Sequence, residues 1–505
     1  MLKTMIVAAR DRNRLNEIVQ VASRFGIGIV LARLGLERPD ADGTAGDAPG
    51  LPQRTRLALE ALGPTFVKLG QILATRGDLL PPDWIAELER LHSQAPTVPF
   101  AALRPAVEEA LGQSPESAFA AFDPAPIAAA SMAQVHRATL RDGTDVVVKI
   151  RRPGIRPRME ADLRLIAHLA AVAERTSAEV RRFDPAAMVR QLAQAVLEEL
   201  DFTIEGRNAD RLRADVAREP RVVVPAIHWQ WSSETLLVMD YIDGVPPRDA
   251  ATLRAAGIDP AAIADLGADL VLDMVLINGR FHGDPHPGNL LCLPGNRIAL
   301  IDLGMIGHVS PRRREEFIDF VQSLARGDPA RLADVLAVWS KDSDVPRDRI
   351  RDAAGRLIAR HGDGRLVLRA MVADFLPLMR DEGMTLPPDL LLILKALVTI
   401  DGVLTGIAPD FDLSRAMQRS SVRIVAARLS PDHWAPILGA LAWEVGKLGE
   451  DAPHLLRAAI RRLEDGPPPA AAAPDPSAAL RAAGQWIAAA ILIGAALMAG
   501  AILLS

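Results

Sequence analysis

Along most of this chain apolar residues return every three or four positions, the period of a helix with one buried face. Leu15, Ile18, Val19, Ala22, Phe25 and Ile29 keep that period across 14–35, although Gly26 and Gly28 weaken it in the second half. The same period predicts helices over 83–93, 101–111, 159–175, 186–215 and 257–279. It predicts more over 312–326, 330–337, 347–360, 365–381 and 387–402, and others within 432–463. The apolar run from Leu391 to Thr399 contains Lys395, a side chain able to snorkel. Between 52 and 76, Gly63-Pro64 breaks or starts a helix. Lys68 and Gln71 then share a helix face, with Gly70 permitting close packing.

The period changes in three places. TDVVVKI at 144–150 is β-branched and follows an Arg141-Asp142-Gly143 turn, so it predicts a strand ending near Lys149. Strands alternate across 220–243, through Val222-Val223-Val224 and Leu236-Leu237-Val238-Met239. The stretch 281–304, FHGDPHPGNLLCLPGNRIALIDLG, predicts a short strand, a Pro294-Gly295-Asn296 turn and a second short strand. Local pattern alone predicts a helical stretch without function over 128–133.

The two ends differ. The apolar run in 1–9 is followed at once by Arg10, Arg12 and Arg14, which excludes a secretory signal. The helix over 14–35 suits packing on the body better than lying at a membrane surface. Residues 36–50 are rich in Gly, Asp and Pro and predict a flexible connection, and 465–480 a Pro/Ala linker. Residues 486–504, WIAAAILIGAALMAGAILL, form an uncharged apolar run. As a helix it spans roughly 28 Å at about 1.5 Å per residue, close to a hydrocarbon core. Arg457, Arg461, Arg462 and Arg481 precede it and favour a cytoplasmic body.

Composition narrows the function. At 505 residues and 49% hydrophobic content the chain can bury a large core. A net charge of -5 gives no support for nucleic-acid binding. The single cysteine, Cys292, rules out an intramolecular disulfide and a cysteine metal cluster, and its apolar strand suits a buried, inert thiol.

The chemistry concentrates in 281–304. Asp284, Asn289 and Asp302 stand on segments joined by a turn, in the order and spacing of kinase equipment. That equipment is an acid near the acceptor, an asparagine five residues on, and a second aspartate after a strand. Asn289 and Asp302 can hold a divalent cation between phosphate oxygens; magnesium is favoured because it takes few protein carboxylates. Taken singly, His282 is an ordinary core histidine, Asp284-Pro285 a turn and Asp302-Leu303-Gly304 a strand end. Their combination is what carries the reading.

HGDPHPGNL and Asp302-Leu303-Gly304 resemble the catalytic-loop and metal-binding signatures of the UbiB/ABC1/COQ8 (AarF-domain) family of atypical kinase-like proteins. The similarity runs from about residue 10 to 430. It implies an α+β, two-lobed kinase-like fold with a helical N-terminal extension and a C-terminal transmembrane helix. The expected divisions are an extension over 1–115, a small lobe over 116–245, a large lobe over 246–430, additional helices over 431–464, a linker over 465–485 and the membrane helix over 486–504. Lys68-Leu69-Gly70-Gln71 resembles the KxGQ motif, on an extension that covers the protein-substrate groove. Ala128, Ala129, Ala130 and Ser131 resemble the Ala-rich loop that replaces a Gly-rich one over the nucleotide. Lys149 then corresponds to the phosphate-contacting lysine and Glu205 to its helix partner. Glu199 and Asp201 resemble the ExD motif, the expected partner of Lys68. Asp240 and Ile242 lie in the inter-lobe hinge, where backbone groups face an adenine edge.

The resemblance implies ATP and Mg2+ as cofactors and Asp284 and Lys149 as catalytic groups. It implies a bacterial inner-membrane protein of ubiquinone biosynthesis, acting on a membrane lipid or prenylated quinone precursor. Biosynthetic enzymes are expected partners and a homodimer is compatible with it. ATP hydrolysis is the expected chemistry, with phosphotransfer to a small molecule or lipid as one alternative and a nucleotide-binding scaffold as another. No A-P-E triplet follows Gly304, so ordinary peptide-substrate apparatus is not expected.

Overall fold

The computed structural model describes residues 11–25, 50–74, 80–91, 96–176, 184–341, 345–362 and 368–411, with Ala416, Arg419, Ser420, Arg423 and Gly439. The chain divides into two compact units, Met1–Ala426 and Ala427–Ser505, and the described architecture belongs to the first. The connection expected at 36–50 lies outside the described residues except for Gly50. The linker and the membrane helix expected at 486–504 lie wholly outside them.

Helix α1 (Arg12–Arg24) packs on the body rather than standing free. Its Arg14 is buried, and donates to the Asp162 carboxylate at 2.5 Å and to the Leu62 carbonyl. Helices α2 (Leu51–Leu62) and α3 (Pro64–Ala74) are separated by Gly63, whose φ of +101° ends the first. Helix α4 (Pro82–Leu88) follows, and Leu59, Leu62, Phe66, Val67, Leu88 and Leu91 form one apolar core with α1. This is the cover. Helix α5 (Phe100–Leu111) and the short α6 (Pro115–Ala118) lead into strands β1 (Ala121–Ala129), β2 (Ala133–Thr139) and β3 (Asp145–Arg151).

Strand alternation decides the two faces of β3. Val146, Val148 and Ile150 pack with Leu103 and Val107 of α5, while Val147 and Lys149 lie on the opposite face. Helix α7 (Ile155–Thr176) returns to the cover, where Met159, Leu163 and Ile166 join its core. The helix expected over 186–215 is two, α8 (Pro185–Glu199) and α9 (Phe202–Asp215). The break comes at Asp201, whose side chain caps α9 by accepting from the Thr203 N–H at 2.9 Å. After the two-residue β4 (Val222–Val223), β5 (Leu236–Asp240) completes an antiparallel sheet of order β1-β2-β3-β5.

The rest is the larger, mostly helical part. Helix α10 (Ala250–Ala255) precedes α11 (Pro260–Asp273), which runs on as a π-helical turn through Met274–Asn278. Strand β6 (Arg280–His282) leads into the loop bearing Asp284. Strands β7 (Leu290–Leu293) and β8 (Arg297–Leu300) form the expected hairpin, with Gly295 and Asn296 both at positive φ. Strand β9 (Ile306–His308) pairs back on β6. Helices α12 (Pro311–Arg326), α13 (Pro329–Trp339), α14 (Arg347–His361), α15 (Leu368–Asp381) and α16 (Pro388–Ile407) fill the positions their periodicity predicts. Among the described residues, α16 is long and apolar enough to cross a membrane by length and composition. Here 56% of that stretch is buried, with Ile393, Ala396 and Leu397 in the main core.

Candidate active site

The loop after β6 is tied down at both ends. The Asp284 N–H donates to His282 Nδ1 at 3.1 Å, and the Asn289 side-chain amide donates to the Asp284 carbonyl at 3.1 Å. That bond uses the Asn289 amide nitrogen and not its oxygen. The Ile301 N–H donates to the Asn289 carbonyl at 3.1 Å, which joins this loop to the segment bearing Asp302. His282 is buried, and burial lowers its pKa, so the ring stays neutral while it orients the loop.

Asp302 lies where β8 ends. One of its carboxylate oxygens accepts the Gly304 N–H at 3.1 Å. The Lys149 charge, helped by that bond and by Lys68, outweighs burial and holds the Asp302 carboxyl at about 2. The group is therefore an anion at any physiological pH. Lys149 donates to both Glu205 oxygens, at 2.9 and 2.8 Å. Burial disfavours the Lys149 ammonium, but Glu205 and Asp302 together raise its pKa above the usual lysine range. Asn208, one turn along α9 from Glu205, donates to the Leu303 carbonyl at 3.2 Å and holds the Asp302 segment from the other side.

A helix carboxylate pairs with a strand lysine beside an aspartate and an asparagine on adjacent loops. Comparisons with known proteins identify the family. The ABC1 atypical kinase-like domain matches residues 90–336, and the UbiB helical domain matches 366–412. A Xylella fastidiosa protein named Probable protein kinase UbiB is 34% identical over 418 residues, covering 80% of this chain and 75% of that one. Its Pseudomonas paraeruginosa namesake is 32% identical over 461 residues, covering 89% and 84%. The Synechocystis protein sll1770 is 30% identical over 416 residues, covering 81% and 71%. The chain belongs to the ABC1/UbiB family of atypical kinase-like proteins.

In this ABC1/UbiB chain a lysine of the cover lies within electrostatic reach of the same aspartates. Lys68 on α3 forms an ion pair with Glu199, at the end of α8, at 2.8 Å. Burial opposes its charge, yet Glu199, with Asp302 and Asp284 behind it, raises the Lys68 pKa above its ordinary value. Of the two acids expected as its partner, Glu199 is the one in contact; Asp201 is used as the α9 cap. Gln71 donates to the Leu91 carbonyl at 3.4 Å, within the cover. Gly70 is a point of close packing in the cover: a Cβ there would lie 2.9 Å from a Leu59 methyl and closer still to one of Leu91.

The helical stretch that local pattern predicts at 128–133 is instead the turn between β1 and β2. Ala128 and Ala129 pair with Val135 and Gln134, and the Ala130 N–H donates to the Ala133 carbonyl at 2.8 Å. The reason is tertiary. Met132 is buried in the cover's core, and Arg152 donates to the Ala130 carbonyl at 3.0 Å, so Ser131 is held at the tip of a pinned hairpin. At the hinge, the Asp240 side chain is committed to the Ala226 N–H at 3.0 Å and His228 at 2.9 Å. The Tyr241 N–H goes to the Asp145 carbonyl at 2.9 Å, and Ile242 lies beyond the last paired position of β5.

One contact escaped the sequence reading. Lys395, which pattern suggested would snorkel, reaches back from α16 to Asp284 Oδ1 at 3.1 Å. The available signal was a lone charge in an apolar run, which marks a side chain with a specific destination. Cys292 is buried as expected, and burial pushes its thiol up to about 12.

Proposed function

We propose that this chain binds ATP with magnesium and transfers the γ-phosphoryl group to water or a small membrane-borne acceptor, in support of ubiquinone biosynthesis. The observation that carries the reading is the convergence of Lys149–Glu205, Asp302, Asn289 and Asp284 on one cleft, with Lys68 of the cover close enough to feel both aspartates. The donor set fits magnesium: a carboxylate kept ionised and an asparagine whose bond to the Asp284 carbonyl uses the amide nitrogen and not the oxygen, few protein ligands of the kind magnesium takes. When bound there, the metal supplies charge neutralisation between phosphates.

The protein's own groups do the rest. Lys149, fixed by Glu205, is the cation for the nucleotide phosphates, and Ile242 and its neighbours offer backbone groups to the base. Asp284 orients the acceptor O–H and accepts its proton. The acceptor oxygen bonds to the γ-phosphorus while the bond to the β-bridging oxygen breaks, and ADP leaves with the electron pair. The cover, held by Lys68–Glu199 and by the packing at Gly70, restricts the acceptor to small molecules and excludes folded proteins. The apolar run at 486–504 is the proposed inner-membrane anchor, with the catalytic body in the cytoplasm.

The test is a labelled γ-phosphate assay on purified protein with membrane lipid, a quinone-like phenol and a protein mixture added separately. Free phosphate that depends on magnesium, rises with lipid or phenol and falls in Asp284→Asn supports the reading. Label on the phenol or lipid makes it a small-molecule phosphotransferase. Efficient labelling of proteins overturns the exclusion by the cover. Nucleotide binding without turnover makes the chain a scaffold.

A further inference from the structure

Three lysines approach the acidic pair Asp284 and Asp302 among the described residues, and two of them are already committed. Lys149 is held by both oxygens of Glu205 and keeps only 16% of its side chain exposed, and Lys68 is held by Glu199 at 2.8 Å. Lys395 differs. Its contact is a single oxygen of Asp284 at 3.1 Å, and the two side chains remain 32% and 36% exposed. Its charge also reaches the cover. Glu89, just past α4, has its carboxyl raised by burial, and the nearby Lys395 charge opposes that rise. An ammonium on the large lobe thus contacts the loop that carries the proton acceptor and lies within electrostatic reach of the cover.

The loop itself supplies no cation for the group being transferred. Asp284-Pro285-His286-Pro287-Gly288-Asn289 contains no lysine or arginine. The His286 ring is turned back on its own chain, where Nδ1 accepts the Gly288 N–H at 2.9 Å. Yet a phosphoryl group in flight carries its charge on three equatorial oxygens, and those oxygens must pass beside the carboxylate that holds the acceptor. Lysine suits the position. Its three donors turn on a flexible stem, so one can keep Asp284 while another meets a phosphoryl oxygen.

We propose that Lys395 is a further catalytic residue, contributed by the UbiB helical region, whose ammonium contacts the transferred γ-phosphoryl group while keeping Asp284 aimed at the acceptor. The proposal rests on the phosphoryl-transfer reading above and deepens it. As the γ-phosphorus leaves the β-bridging oxygen and bonds to the acceptor oxygen, Asp284 takes the acceptor proton and Lys395 meets the charge on the moving oxygens. Its contact is strongest in the transition state, so it acts on kcat more than on ground-state affinity.

The test compares full-length wild type with Lys395→Met, Lys395→Arg and Lys395→Cys, each checked by thermal melting. Lys395→Met is expected to lower kcat by about 100-fold, the scale of losing one preorganised charge donor. The Kd of Mg–ATP should rise by only a few-fold, and that of ADP, which lacks the γ-phosphate, should not change. Lys395→Arg should restore part of the rate. Alkylating Lys395→Cys with 2-bromoethylamine rebuilds a lysine-length amine and should restore most of it, because the only other thiol, Cys292, is buried with its pKa pushed up to about 12. Wild-type turnover and ATP affinity in Lys395→Met would overturn the proposal and leave the phosphoryl-transfer reading standing. Equal loss of ATP and ADP binding with a lowered melting point would overturn it too, by making Lys395 structural. A wild-type protein that neither binds nor turns over ATP would bring down the reading and this proposal together.

Discussion

Lys149 and Lys68 both lie near enough to Asp302 to favour its ionised form, yet the regions that carry them are built differently. Lys149 sits mid-strand. Backbone bonds to β2 and β5 fix its position, with Val135 and Leu237 as its cross-strand neighbours. Lys68 sits on a helix of the cover, which meets the rest through packed side chains and the Lys68–Glu199 pair. A strand lysine cannot leave the site without breaking a sheet. A cover lysine can leave with its helix when the Lys68–Glu199 pair, the packed apolar side chains around it and the Thr65–Asp162 hydrogen bond give way, with no sheet broken. The first region suits a permanent nucleotide contact, and the second suits a gate.

The largest effect that would sharpen this contrast is at Lys149. Lys149→Met leaves Glu205, 7% exposed, without its partner, and removing one member of a buried pair costs roughly 3–5 kcal/mol. Denaturant unfolding should show that loss. Lys149→Met/Glu205→Gln should recover most of the stability but none of the ATP binding. If the single substitution melts like wild type, Lys149 is not locked and the contrast with Lys68 fails. Next in size, Asp302→Asn should weaken Mg–ATP binding by at least roughly 10–100-fold, since even residues behind a metal ligand cost that much. A magnesium titration with labelled ATP checks it, and unchanged binding by a folded variant would remove Asp302 from the metal site.

The cover should answer to packing. Gly70→Ala puts a methyl against the Leu59 and Leu91 side chains, which are themselves buried. Overpacking of this kind costs about 1–3 kcal/mol. The loss should appear as faster amide exchange in α2–α4 while the sheet keeps its protection. Equal loosening of both regions would mean that the cover is part of the same cooperative unit and does not open by itself.

What was legible in the sequence follows the same division. The strand at 144–150 and the hairpin at 290–300 were readable because alternation and turn chemistry are local. The five helices after Gly304 were readable because each carries its own period. The Ala-rich turn was not, since three alanines prefer a helix and only Met132 in the cover's core and Arg152 on the Ala130 carbonyl hold them as a hairpin. The break at Asp201 was missed because a cap and a mid-helix aspartate look alike until the next helix changes direction. Lys68–Glu199 and Lys149–Glu205 came from resemblance, as no local rule joins residues so far apart in the chain. Lys395–Asp284 came from neither. Its apolar neighbours say that α16 is buried, but not which acid lies at the end of the side chain.

The smallest effect concerns pH, and it separates the two regions by the window in which each weakens. In the sheet, His136 is buried against Phe100 and Phe122, with Nδ1 2.9 Å from the Asp123 carbonyl and Nε2 3.1 Å from the Gln134 amide. Both partners are satisfied by the neutral ring with its proton on Nδ1. Burial lowers its pKa from 6.5. As pH falls below 6.5 the unfolded chain therefore takes up a proton before the folded chain does, and stability declines by at most about 1.4 kcal/mol per pH unit from this group. In the cover, Glu17 is also buried in part, but Arg14 and Arg158 outweigh that and lower its pKa from 4.5. A depressed carboxylate contributes above its unfolded value and loses that contribution only as pH falls below 4.5. Amide exchange followed from pH 7.5 to 5 should therefore show β1 and β2 losing protection while α1 does not, and His136→Gln should flatten the decline in the sheet. A parallel decline in α1 over the same range would mean that the two regions share one titrating unit, and the distinction between fixed sheet and removable cover would have to be given up.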